Sequence, residues 1–222
     1  MLARNILKSA GNNQLVNNQT SISYLDNSVH DDVLHDVYTA FNMSFGEVDS
    51  DRFIIVTVHA MNSSPNVKIT GVTVGGVSAT VLASSDDAIG YDYGETAIYW
   101  AQPSGSSGNI AVNFSNDVLT AGVGVFRMIT DDITPYDTGA EESPNESLVT
   151  FDINVPQGGA VIAASQAVNQ GSCTWQEGIE AFDVDPRTGE NASAMYINNY
   201  SGDGTVTVDN NEASSLCAVS WV

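Results

Sequence analysis

The chain has 222 residues, of which 42% are hydrophobic, and this is enough apolar material to exclude a disordered polymer. It carries 27 acidic and 6 basic residues, for a formal net charge of -21. A body with this charge repels phosphate groups, so we expect no binding to nucleic acid or to anionic membranes. The sequence also contains no apolar run long enough to span a bilayer.

The first segment, residues 1–23, is rich in Asn, Gln and Ser, has weak periodicity and is predicted to be an extended N-terminal arm. A free terminus of this composition would stay disordered, whereas in an assembly it could lie on a neighbouring subunit. Apolar side chains would then fill pockets and basic ones would meet acidic groups. The candidate partner-binding residues are Leu2, Ile6, Leu7, Arg4 and Lys8.

The rest of the chain, residues 24–222, shows β patterns. Residues 53–61 are apolar on both alternating faces, which predicts a central buried strand. Gly75-Gly76 separates two β-branched runs and predicts a hairpin, because glycine reaches the positive φ that primed turns require. About eleven short strands between turn clusters, with no long helix, predict an all-β fold. We expect one antiparallel β-sandwich of the jelly-roll or immunoglobulin-like kind.

An acidic segment at residues 131–147 divides the two halves of the chain. It could be a domain linker. We favour a long loop within a single sandwich, because each half alone has barely enough strands to close two sheets. The expected core residues are Phe53, Ile55, Val72, Val74, Trp100, Val112, Phe114, Val125, Val161, Trp175, Leu216 and Val219.

The two cysteines, Cys173 and Cys217, could form one disulfide. The first residues lack the apolar segment of a secretory signal, so we expect free buried thiols instead.

Candidate catalytic groups are scarce. His59 lies in the predicted central strand and is expected to be a core residue. His30 and His35 lie beside aspartates, but without the spacing of a known metal motif. No Gly-x-Ser-x-Gly elbow is present. The sequence therefore predicts no enzyme and no metal site.

We expect no cofactor, and the alternative is that the chain binds calcium. Residues 86–95 and 183–185 offer carboxylate oxygens in polar turns, although neither segment matches the EF-hand loop. Such carboxylates are usually only solvated, so we expect no bound ion.

An aromatic platform for sugar rings is a further possibility, with Trp175, Tyr91 and Tyr93 as the candidate stacking residues. The alternative for Trp175 is burial between sheets. The neighbouring Glu177 and Glu180 are three positions apart and point to opposite faces of a strand, so they make a poor catalytic pair for glycoside hydrolysis.

Several stretches of the sequence together resemble one known kind of protein. They are residues 38–46 (YTAFNMSFG), 51–56 (DRFIIV), 69–80 (ITGVTVGGVSAT), 98–101 (IYWA), 109–115 (NIAVNFS), 155–161 (VPQGGAV), 180–183 (EAFD) and 213–220 (ASSLCAVS), together with Trp175. Over residues 38–220 the chain resembles β-sandwich structural proteins from virions of tailed bacteriophages, in particular of marine and alphaproteobacterial phages.

The resemblance implies a non-enzymatic particle component, and we expect a capsid decoration or cement protein. It would be a homo-oligomer bound to other virion proteins such as the major capsid protein, and it would reside in the virion after assembly in the host cytoplasm. The alternative is a tail-associated or receptor-binding module that recognises surface glycans. The resemblance carries over no catalytic residues and does not separate head from tail.

Overall fold

A computed structural model describes residues 20–31, 35–62, 67–87, 93–142, 148–168, 173–202, 204–211 and 215–222. These ranges contain sixteen strands and no helix. The strands are β1 (Ser21–His30), β2 (His35–Ser44), β3 (Arg52–Asn62), β4 (Ile69–Val74), β5 (Val77–Ser78), β6 (Thr80–Asp87), β7 (Tyr93–Ala101), β8 (Ser107–Val118), β9 (Thr120–Ile129), β10 (Asp137–Glu142), β11 (Leu148–Asn154), β12 (Ala160–Val168), β13 (Ile179–Arg187), β14 (Glu190–Ile197), β15 (Thr205–Asn211) and β16 (Ser215–Trp221).

The strands form four antiparallel sheets, stacked in the order I, II, III and IV. Sheet I has the strand order β2-β8-β4-β5, sheet II β1-β9-β3-β7-β6, sheet III β10-β16-β12-β14-β13 and sheet IV β11-β15. Sheets I and II come from residues 20–129, the N-terminal half, and sheets III and IV come from residues 137–222, the C-terminal half.

Three apolar cores lie between the four layers. Ile54 and Val112 belong to the core between sheets I and II. Ile55 and Ile162 belong to the core between sheets II and III, and Leu216 to that between sheets III and IV. The second core joins the two halves of the chain. Whether residues 24–222 unfold as one domain stays a prediction.

β3 lies between two layers, and this position explains its sequence. Ile54 and Val56 face sheet I, whereas Ile55 faces sheet III. Successive side chains of a strand point to opposite faces, so a strand covered on both sides is apolar at most positions. The prediction of a central buried strand at residues 53–61 is confirmed.

The hairpin turn is also confirmed. Gly75 and Gly76 connect β4 to β5 and have φ angles of 57° and 81°. Val74 pairs with Val77 across the turn. Two successive positive φ angles are the conformation that favours glycine at both positions.

The all-β antiparallel prediction is confirmed, but the expected number of eleven strands is too low. The predicted end of the arm at residue 23 is wrong, because residues 21–23 belong to β1, which pairs with β9. The prediction of a long loop at residues 131–147 is wrong for residues 137–142, which form β10 and pair with β16. The polar composition of these two segments does not indicate strands. Polar residues are tolerated there because each strand lies at the edge of a sheet, where one side can face water.

Nine of the twelve expected core residues are buried. The other three are partly buried at the margin of a core: Phe53, Trp100 and Trp175.

Candidate functional site

The predicted partner-binding arm residues Leu2, Arg4, Ile6, Leu7 and Lys8 lie outside the described residues. So does Tyr91, one of the three candidate sugar-stacking residues. Tyr93 begins β7, and its side chain lies outside what the structure describes. These parts of the sequence analysis stay predictions.

A hydrogen bond fixes the orientation of the Trp175 side chain. Its indole Nε1 donates to Ser193 Oγ at 2.7 Å, and the Ser193 hydroxyl donates to the Phe182 carbonyl at 3.0 Å. The half-buried indole also packs against the core between sheets III and IV. The polar edge and part of the ring are therefore engaged in folding, so Trp175 offers a sugar ring less surface than a free platform would. Glycan stacking stays a prediction.

His59 is a core residue, as predicted. It is 3% exposed, its ring meets Phe182 edge-on at a centroid distance of 5.7 Å, and its Nε2 lies 3.3 Å from Thr57 Oγ1. Burial lowers the pKa of His59 to about 3. A neutral, enclosed imidazole of this kind cannot exchange protons with a bound molecule at the surface.

The carboxylates considered for calcium have structural roles where they are described. Asp183 Oδ1 accepts the Cys173 N–H at 3.2 Å, and Asp185 Oδ1 accepts from Asn191 Nδ2 at 3.4 Å. No group of three or more His, Cys, Asp or Glu residues within the described ranges is arranged to hold a metal ion. Residues 88–92 of the other candidate loop lie outside those ranges.

Both cysteines are free and buried, which confirms that prediction. Burial raises the pKa of the Cys217 thiol well above its ordinary value, and the nearby Glu95 raises it further. The thiol is therefore kept protonated and is a poor nucleophile.

The outer face of sheet I carries a group of uncharged side chains, although the chain as a whole is strongly acidic. Two rows of register partners cross its three longest strands, β2, β8 and β4. One row is Val37, Asn113 and Gly71, and the other is Thr39, Ala111 and Thr73. Alternation places these side chains outward, because their neighbours Tyr38, Ile110, Val112 and Val72 are in the core.

A third row begins at Phe41, which is 69% exposed. The register between β2 and β8 shifts between Ala40 and Met43, so Phe41 and Asn42 form a bulge. Asn42 adopts a φ of 55°, and its N–H donates to Asn109 Oδ1 at 3.1 Å. Bulges re-aim side chains, and this one presents an aromatic ring to solvent.

We call the following eight residues the uncharged face: Val37, Thr39, Phe41, Gly71, Thr73, Asn109, Ala111 and Asn113. None of the 27 acidic residues is among them. A surface with small side chains, no charge and exposed apolar groups at Phe41 and Val37 has the composition of a protein–protein contact. Sequence reasoning missed it, because the three strands are distant in sequence and only their pairing brings these positions together.

The sequence matches no family model, and no curated protein is significantly similar to it. Within the described residues there is no helix long and apolar enough to cross a membrane.

Proposed function

We propose that the chain is a non-enzymatic structural component of a bacteriophage particle, a capsid decoration or cement protein, which attaches to other virion proteins through the uncharged face. The phage assignment rests on the sequence resemblance over residues 38–220. The mode of attachment rests on the composition of the outer face of sheet I.

The proposal that this face is the attachment surface rests on the distribution of charge. The chain has a net charge of -21, yet eight adjacent outward positions on three strands are uncharged. The centres of protein–protein contacts are depleted in charged residues and enriched in aromatic ones, as at Phe41. The acidic remainder favours solubility through repulsion between molecules.

The free edge of sheet I offers a second element of the attachment. β2 pairs only with β8 among the described strands, so the other side of this strand is available to a partner. An extended segment of a partner could add to this edge while its side chains cover Phe41. The same edge could join copies of this chain into the homo-oligomer that we propose on the particle.

The simplest test of the proposal is to locate the protein on the phage particle. Particles should be purified from the phage or prophage that encodes the chain, labelled with an antibody against it and imaged by electron microscopy. We expect label at regular positions over the head. Label confined to the tail would support the tail-associated alternative, and unlabelled particles would contradict the proposed function.

A further inference from the structure

Two of the chain's six basic residues lie side by side at one end of the sandwich formed by sheets I and II. Arg52 on β3 pairs with Ile129 of β9, and Ile54 of β3 pairs with Arg127, so the two arginines are diagonal neighbours on adjacent strands. Both occupy the strand face that Ile54 turns toward sheet I.

Gly46, in the segment that follows β2, lies between them. Its carbonyl accepts a hydrogen bond from Arg52 Nη1 at 3.2 Å. A Cβ built on Gly46 would come within 3.0 Å of Arg127 Cδ, so the aliphatic part of Arg127 lies against this residue. The three residues form one compact unit, which we call the arginine corner.

Arg52 is buried, and its guanidinium is engaged by carbonyl groups. Nη1 donates to the carbonyls of Phe45, Gly46 and Glu47 at 3.2–3.3 Å. Nη2 donates to the carbonyl of Gly105 at 2.9 Å and to that of Pro103. All of these acceptors are neutral, so they satisfy the Nη donors without contributing a negative charge, while Arg52 Nε is buried and has no hydrogen-bond partner.

Arg127 differs from Arg52 in its Nη groups, which have no hydrogen-bond partner among the described residues. Its Nε is covered by protein and has no hydrogen-bond partner. The residue as a whole is half-buried, and its guanidinium forms no hydrogen bond or ion pair within the part of the chain that the structure describes. An arginine in this condition is unexpected in a chain with 27 acidic residues, since burying an unsatisfied charged donor is costly.

Two carboxylates on neighbouring segments accept hydrogen bonds from backbone N–H groups. Asp26 accepts from the N–H groups of Asn27 and Ser44, at 2.9 and 3.3 Å. Asp49 accepts the N–H of Asp51 at 3.0 Å. Neither of these two carboxylates forms a hydrogen bond or an ion pair with Arg127 in the described part of the chain.

We propose that the arginine corner is a binding site for an oxyanion of the carboxylate or phosphate type. Arg127 would supply its planar fork of N–H donors, which matches two oxygens of such a group. Arg52 would supply a second positive charge, held in place by its five carbonyl contacts. This inference does not depend on the proposed function, although a carboxylate of a partner chain would be a suitable occupant.

Titration with two small anions tests the site. Acetate and inorganic phosphate would be added separately to the full chain at constant ionic strength, and the amide signals of Gly46 would be followed by NMR. We expect a saturable shift of the Gly46 signal. The anion with the lower dissociation constant identifies whether the site prefers carboxylate or phosphate.

Two variants with matched loss of charge show where the anion binds. Arg127→Met keeps the apolar stem and should abolish the saturable shift, whereas Arg187→Met, at the exposed end of β13, should retain it. Arg127→Lys keeps the charge without the fork and should weaken binding, which provides a second variant if Arg127→Met does not fold. A non-saturable shift in the wild-type chain, or an equal shift in Arg127→Met, would overturn the proposal.

Discussion

Phe182 of the C-terminal half packs directly over Gly124 of the N-terminal half. A Cβ built on Gly124 would lie 2.7 Å from Phe182 Cζ and 2.7 Å from Thr57 Oγ1, so no larger side chain fits without displacement. The glycine leaves a notch in β9, and the phenylalanine of β13 fills it. This contact lies in the core that joins sheets II and III.

Substituting this glycine should destabilise the protein. Gly124→Ala would overpack the contact with Phe182, and we expect it to lower the free energy of unfolding by about 1–3 kcal/mol in urea denaturation. Gly71→Ala is the matched control, because its Cβ would meet only Asn113 Nδ2 at 3.8 Å. Equal stabilities of the two variants would show that the halves are not packed through this notch.

Arg52 should stabilise the fold through the loops that it connects. Arg52→Met removes donors from five carbonyls, which belong to residues 45–47, 103 and 105. Each buried acceptor that loses its partner is costly, so we expect a loss of about 3 kcal/mol or more. The exposed Arg187→Met control should change stability by no more than about 0.5 kcal/mol. A similarly small loss in Arg52→Met would refute this role.

His59 should make stability depend on pH. In the unfolded chain it takes up a proton near its ordinary pKa of 6.5, whereas in the fold its pKa is about 3. The unfolded state therefore binds more protons between these values, so stability should fall as pH decreases from 6.5 to 3, by up to about 1.4 kcal/mol per pH unit.

The variant His59→Gln isolates this contribution from that of the many carboxylates. Its stability should fall less steeply than that of the wild-type chain over the same pH range, as measured by urea denaturation at each pH. Parallel curves for the two proteins would mean that His59 is protonated in the fold without cost.

The N-terminal arm should be removable if the cut leaves Thr20 in place. Thr20 Oγ1 hydrogen-bonds with Thr130 Oγ1 at 3.0 Å and with the carbonyl of Val222, so it belongs to the folded body. Deleting residues 1–19 should leave the melting temperature unchanged and weaken attachment to particles, because the arm carries predicted apolar anchors. Attachment at wild-type occupancy would contradict the role of the arm.

The fold class could be predicted from local patterns, whereas the candidate surfaces could not. Gly75-Gly76 and the apolar run in β3 identify a hairpin and a central strand, because turn chemistry and alternation are local properties. The polar sequences of β1 and β10 do not identify edge strands in the same way. The uncharged face and the arginine corner depend on register between distant strands, which a single sequence does not provide.

Attachment through the uncharged face is tested most directly by placing a charge on it. Ala111→Asp introduces a carboxylate at the centre of this face, and Ala140→Asp makes the same change at an exposed position on β10 of the other half. Both variants should be checked for an unchanged fold and then incubated with particles that lack the protein. We predict that Ala111→Asp loses most of its binding to particles while Ala140→Asp binds like the wild-type chain. Wild-type binding by a folded Ala111→Asp variant would contradict attachment through this face.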